Sequence, residues 1–210
     1  MPKCAHHEVD GGGIAIWHIT ESSDELRALL ATDVYDVELA EKHHEARRAE
    51  WLAVRLLVKE LFGEECVVAY HPTGKPYLKG VSVYISISHT KEYAALAYHC
   101  LSPIGVDIEY MSARVEHIAS RFTSEEEAAY IDKHDDEERK RYHLINWCAK
   151  EALYKLVDAP SMADFKKAFR IAPYALSTQG VLHATICDTC ERQAEVAYRI
   201  YPHFICVYSH

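Results

Sequence analysis

Apolar residues recur with two different periods along this chain, and each change of period marks an element. Between residues 45 and 61, Trp51, Val54, Leu57, Val58 and Leu61 return at steps of three and four. That spacing predicts an amphipathic helix, with Gly63 positioned to end it. A second long helix is expected over 138–157, where Tyr142, Ile145, Trp147, Cys148, Ala152 and Leu156 supply the apolar side. Ser22, Ser23 and Asp24 are cap candidates for a short helix reaching Leu30. Thr123 and Ser124 play the same part before an acidic first turn at Glu125 and Glu126. Strand-like runs lie at 14–19, 83–88, 93–98 and 104–109, and in the last third at 168–171, 180–186, 195–200 and 204–208. The link 89–92 is short enough for a hairpin, Thr73–Gly74–Lys75–Pro76–Tyr77 reads as a turn, and the acidic stretch 132–138 reads as a solvated linker.

The order is therefore a strand, helices and a hairpin, followed by a strand, helices and further strands. Pro103 falls between the two sets, dividing the chain into 1–103 and 104–210. With 210 residues, 49% hydrophobic and 26% charged, the chain can bury a core in one domain or two small lobes. A formal charge of −9 and the lack of a basic stripe argue against nucleic acid as a partner. The seven cysteines are scattered and mostly inside apolar runs, which reads as reduced thiols in a cytoplasmic protein. Cys187 and Cys190 have half the spacing of a zinc site, but no second such pair follows. No run approaches a membrane span and the first residues lack a signal-peptide core, so no membrane role is expected.

Two charged segments interrupt this apolar patterning. Gly105–Val106–Asp107–Ile108–Glu109 is a strand on which Asp107 and Glu109 point the same way. In Trp147–Cys148–Ala149–Lys150–Glu151–Ala152–Leu153–Tyr154–Lys155, helical spacing puts Trp147, Glu151 and Lys155 on one face, with Lys150 about a quarter-turn away. If helix and strand cross, three carboxylates meet with a lysine beside them. Such a set suits a divalent cation that leaves positions open for substrate phosphate oxygens. The competing reading is a surface Glu151–Lys155 pair and a strand whose acids face water.

These segments, in this order, resemble the signature of the 4′-phosphopantetheinyl transferase superfamily. Gly74–Lys75–Pro76 is similar to the family's Gly-Lys-Pro turn, Ser88–His89–Thr90 to its Ser-His-Ser/Thr segment, and 121–126 to the stretch entering the helix after the acidic strand. The length and two-part layout are similar to the larger, surfactin-synthetase-activating type. The resemblance implies an α+β fold of two pseudo-symmetric lobes, each an antiparallel-rich sheet packed against a long helix.

It also implies that Asp107, Glu109 and Glu151 bind Mg²⁺, with Mn²⁺ as the other oxygen-binding candidate, and that the ion holds the pyrophosphate of coenzyme A. Glu151 would be the base for an acceptor serine, and Lys155 would contact the phosphate. Coenzyme A would further meet Lys75, Ser88, His89, Lys150 and a basic residue opening the first long helix. Arg48 is the choice there, with Lys42, Arg47 and Arg55 as alternatives. The expected partner is an apo acyl or peptidyl carrier protein, met through apolar contacts in 110–122, and the chain is expected to act as a monomer. Two other readings use the same groups: a metal-dependent phosphohydrolase acting on a nucleotide or on coenzyme A, and a non-catalytic protein that binds coenzyme A or a carrier.

Overall fold

Each of the two long amphipathic segments is a helix lying on its own antiparallel sheet. The computed structural model describes residues 3–157, 162 and 164–210. It divides into two units, Met1–Ser102 and Pro103–His210, and is a pair of pseudo-symmetric α+β lobes.

The first unit holds β1 (Lys3–Val9), β2 (Gly12–His18), α1 (Ser23–Leu30), α2 (Asp36–Ala40), α3 (Glu45–Phe62), β3 (Val67–Tyr70), β4 (Pro76–Lys79), β5 (Tyr84–Thr90) and β6 (Tyr93–His99). Its sheet runs β1-β2-β6-β5-β4-β3. Ser22 caps α1 in a capping box with Glu25, which satisfies two donors that the first turn would otherwise leave open. The apolar face of α3, with Leu52, Ala53, Leu57 and Val58 buried, packs on Trp17, Ile85 and Leu96 of the sheet. Gly63 ends the helix at φ 97°, a conformation a side chain would resist.

The second unit holds β7 (Gly105–Tyr110), α4 (Arg114–His117), a 3-10 turn (Ala119–Arg121), α5 (Glu125–Ile131), α6 (Asp136–Val157), α7 (Phe165–Ala168), β8 (Phe169–Ile171), β9 (Gln179–Cys187), β10 (Glu191–Ile200) and β11 (Phe204–Ser209). The sheet order is β7-β11-β10-β9-β8. Ile145, Cys148, Ala149, Ala152 and Leu153 of α6 pack on Val196, Ile205 and Val207. One glycine sets how closely this helix approaches its sheet. A Cβ on Gly105 would lie 1.9 Å from the Ala152 carbonyl oxygen, so β7 meets α6 backbone to backbone there.

Several elements differ from the sequence expectation. The strands β1 and β3 and the five-residue helix α2 carry no periodic signal long enough to announce them. Part of the supposed acidic linker belongs to α6, which begins at Asp136 because Asp135 Oδ1 accepts the amides of Glu137 and Glu138. His89 and Thr90 are strand residues, and the hairpin link is only Lys91 and Glu92. Residue 168 ends a short helix rather than opening a strand.

Candidate functional site

The close approach at Gly105 decides what β7 presents to α6. Val106 and Ile108 are buried on one face, while Gly105, Asp107 and Glu109 share the other. Cys148, Glu151 and Lys155, at steps of three and four, share a face of α6. Lys155 Nζ donates to Asp107 Oδ1 at 2.7 Å and to the Val106 carbonyl at 3.0 Å. In place of the competing reading, a surface pair of Lys155 with Glu151, the pairing runs between helix and strand.

Glu151 carries no hydrogen bond among the described residues. Burial, reinforced by the charges of Asp107 and Glu109 and opposed by Lys155, pushes its carboxyl up to about 7. Three acids and one ammonium therefore share a poorly solvated corner. Among the described residues no three acidic, histidine or cysteine side chains converge closely enough to form a ready-made metal cage. The donor chemistry nonetheless fits a hard cation: all three groups are carboxylates, and their mutual repulsion raises Glu151 in the way an added positive charge would reverse.

Lys150, one residue from Glu151, has a different environment. Its ammonium is fully buried and donates to the Phe122 carbonyl at 2.6 Å and to Glu127 Oε2 at 2.7 Å. Glu127 in turn accepts from Ser124 N at 2.8 Å and from Ile171 N at 2.7 Å. These bonds tie α5, α6 and β8 together around the buried Lys150 ammonium.

The first unit contains a cleft of about 380 Å³ at the start of α3, lined by Glu41, Lys42, His43, His44, Arg47, Trp51, Val54, Arg55, Tyr70, Ile87 and His89. Arg47 Nη1 lies 2.9 Å from Glu50 Oε2 and 3.0 Å from His89 Nδ1, and that ring nitrogen is 3.2 Å from the same carboxylate oxygen. Deeper in, the Arg55 guanidinium stacks 3.5 Å from the Trp51 ring centroid and is held by Trp51 O and the Tyr70 hydroxyl, both at 3.3 Å. Its Nε has no partner among the described residues, and its nearest carboxylate, Glu38, is 3.9 Å away. Burial pulls this guanidinium below its usual value. A buried cation with such thin compensation makes the cleft a natural seat for an anion.

Of the residues expected at the coenzyme, His89 lines this cleft, whereas Arg48, Lys75 and Ser88 are not among its lining residues. Arg48 follows Arg47 by one residue and so points about 100° round the helix. Ser88 alternates with Ile87 and His89, and its buried side chain faces the opposite side of β5. Lys75 sits half-buried in the β3–β4 turn, where its carbonyl accepts from His71 N. The sequence reading missed Glu50 and Trp51 as parts of this site, and it named Arg55 only as an alternative to Arg48. The available signal was the i,i+4 spacing of Trp51 and Arg55, which lets a guanidinium fold onto an indole.

Among the described residues no helix is long and apolar enough to cross a membrane. Comparison with known proteins places the second unit in a family context. A model described as the 4′-phosphopantetheinyl transferase superfamily matches residues 103–202. A putative 4′-phosphopantetheinyl transferase of Synechocystis sp. is 27% identical over 112 residues, which cover 50% of this chain and 46% of that protein. The 4′-phosphopantetheinyl transferase AcpT of Salmonella typhimurium is 28% identical over 130 residues, 60% of this chain and 68% of that protein. The match thus spans less than half of the Synechocystis relative. The segment similar to the superfamily model, residues 103–202, is the one that carries Asp107, Glu109, Glu151 and Lys155.

Proposed function

We propose that this protein transfers the 4′-phosphopantetheine arm of coenzyme A to a serine hydroxyl of an apo acyl or peptidyl carrier protein, releasing adenosine 3′,5′-bisphosphate. We assign it to the larger, two-lobed type, acting as a cytoplasmic monomer, with the metal ligands in 104–210. The observation that carries this reading is the corner where Asp107 and Glu109 of β7 meet Glu151 and Lys155 of α6, within the segment similar to the superfamily model.

Asp107, Glu109 and Glu151 would hold Mg²⁺, or Mn²⁺ in its place. When bound, such an ion neutralises pyrophosphate charge and orients the phosphorus for attack. Glu151, raised to about 7, is matched to accept a proton from the serine hydroxyl near neutral pH. Lys155 already reaches into the carboxylates from the helix, and its ammonium would meet charge developing on the transferred phosphate. In the first unit, Arg47, Lys42, Arg55 and His89 would take the 3′-phosphate of the nucleotide, with Arg47 in the part first given to Arg48. Lys75 and Ser88 remain proposed contacts of the coenzyme outside that cleft.

The test is to mix the purified protein with coenzyme A, Mg²⁺ and a panel of apo carriers of fatty-acid, polyketide and peptide-synthetase type, and to weigh the carriers by mass spectrometry. The expected result is the mass gain of one phosphopantetheine arm on at least one carrier, abolished by EDTA. Coenzyme A binding without any gain in carrier mass would overturn the proposal. Release of the bisphosphate without a carrier would replace it with a phosphohydrolase.

A further inference from the structure

Two thiols share the tip of one hairpin in the second unit. β9 ends at Cys187 and β10 begins at Glu191, and these two residues form the last pair of their ladder. Asp188, Thr189 and Cys190 alone connect the strands, so the chain reverses between the two cysteines. Facing Cα atoms in an antiparallel ladder stand about 4.5–5.5 Å apart, and a four-residue reversal brings its first and last Cα within about 7 Å. A disulfide spans about 4.4–6.8 Å between Cα atoms, so this turn falls in the range that one can bridge.

Side chains hold the tip in this form. Asp188 Oδ1 accepts the Cys190 amide at 3.1 Å, and Arg192 Nη2 donates to Asp188 Oδ2 at 2.7 Å. Glu191, opposite Cys187, is bonded to Arg170 of β8. Cys190 is exposed and Cys187 half-buried, whereas Cys66, Cys148 and Cys206 are buried. The Cys187 thiol donates to the Thr185 carbonyl at 3.8 Å, a weak bond that is readily given up.

We propose that Cys187 and Cys190 are a redox-active dithiol that closes to a disulfide across the β9–β10 turn, with a small-molecule disulfide such as oxidised glutathione as the oxidant. Cys190, the exposed thiol, loses its proton and attacks one sulfur of the oxidant. A mixed disulfide forms and one glutathione leaves as its thiolate. Cys187 then loses its proton and attacks the Cys190 sulfur, which closes the turn and expels the second glutathione. The protein loses two electrons and two protons, and the oxidant takes them up to become two thiols. In a reducing compartment such a pair is a reversible sensor of oxidation rather than a permanent staple. The inference goes beyond the transferase reading and uses none of the residues on which that reading rests.

The test uses the full-length protein, first reduced and then freed of reductant. It is exposed to oxidised glutathione at about pH 8, and remaining thiols are trapped with N-ethylmaleimide before peptide mass spectrometry. The peptide carrying both cysteines should be lighter by two hydrogen atoms, carry no maleimide, and return to the dithiol with dithiothreitol. Two variants fix the order of attack. Cys187→Ser should accumulate glutathione on Cys190, because no second thiol expels it. Cys190→Ser should take up glutathione at Cys187 at least about tenfold more slowly, since that thiol is half-buried. Maleimide on both cysteines of the parent after exposure would overturn the inference. Glutathione retained on Cys190 of the parent, or a disulfide from either cysteine to Cys100, would overturn it as well. Equal uptake by the two variants would remove Cys190 from the attacking role.

Discussion

Lys150 and Glu151 are neighbours on α6, yet the fold treats their charges in opposite ways. Lys150 has a buried carboxylate and a carbonyl within 2.7 Å, and its partner Glu127 is in turn bonded to two backbone amides. Glu151 is crowded by two other acids, has one ammonium nearby, and carries no hydrogen bond among the described residues. A fully satisfied buried pair stabilises one arrangement of α5, α6 and β8. A buried acid raised by its acidic neighbours disfavours its own charged form, and perturbed carboxylates of this kind are candidate ligand sites. Adjacent positions on one helix thus differ in the completeness of their partners as well as in burial.

The largest expected effect falls on the functional side. Glu151→Gln should lower transfer to a carrier about 10³-fold while the far-ultraviolet circular dichroism and coenzyme A binding persist. Transfer within a few-fold of the parent would remove Glu151 from its role. On the structural side, Lys150→Met leaves the Glu127 carboxylate buried and unpaired, and urea denaturation should show a loss of about 3–5 kcal/mol. The double variant with Glu127→Leu should recover much of that loss. If Lys150→Met instead left stability intact and raised the KM for coenzyme A, the two residues would have to exchange their roles.

A pH series sharpens the same contrast. The Glu151 carboxyl rises from an ordinary 4.5 to about 7 on folding, so the folded state retains a proton that the unfolded state releases. That contribution to stability is fully present below about pH 4.5 and is lost as pH rises through about 7. After allowance for partial exposure it amounts to about 2 kcal/mol, and in EDTA it should vanish in Glu151→Gln. A metal-free stability profile identical in parent and variant would show that the acid is not strained. The smallest effects concern the first unit. Arg47→Ala should raise the KM for coenzyme A about tenfold with little change in kcat, whereas Arg48→Ala should change it less than about twofold.

Much of this was legible in the chain because local chemistry declared it. Ser22 and Ser124 each begin a helix in a capping box, as their positions before Glu25 and Glu127 imply. The alternation of Asp107 and Glu109 and the four-residue step from Glu151 to Lys155 fixed which groups share a face. What the chain does not declare is pairing at a distance. Glu127 lies 23 residues before Lys150, and no periodicity links them. Lys155 was legible as a cation near Glu151, but its bond to Asp107 depends on the backbone contact at Gly105. Arg47 and Arg48 are consecutive, and only the phase of α3 against β5 brings the first of them to His89. The edge strand β1 escaped notice because its polar residues contribute main-chain pairing to β2 rather than an apolar face.

The central claim, that the carboxylates of β7 and α6 await a divalent cation, is tested most directly by counting protons released as Mg²⁺ binds. Isothermal titration in buffers of different ionisation heat gives that number at each pH. With Glu151 near 7, about half a proton should leave per ion at pH 7, more at pH 6 and almost none at pH 8.5. Glu151→Gln should release none at any of these values. Absence of Mg²⁺ binding, or binding with no proton release at pH 6, would contradict the account.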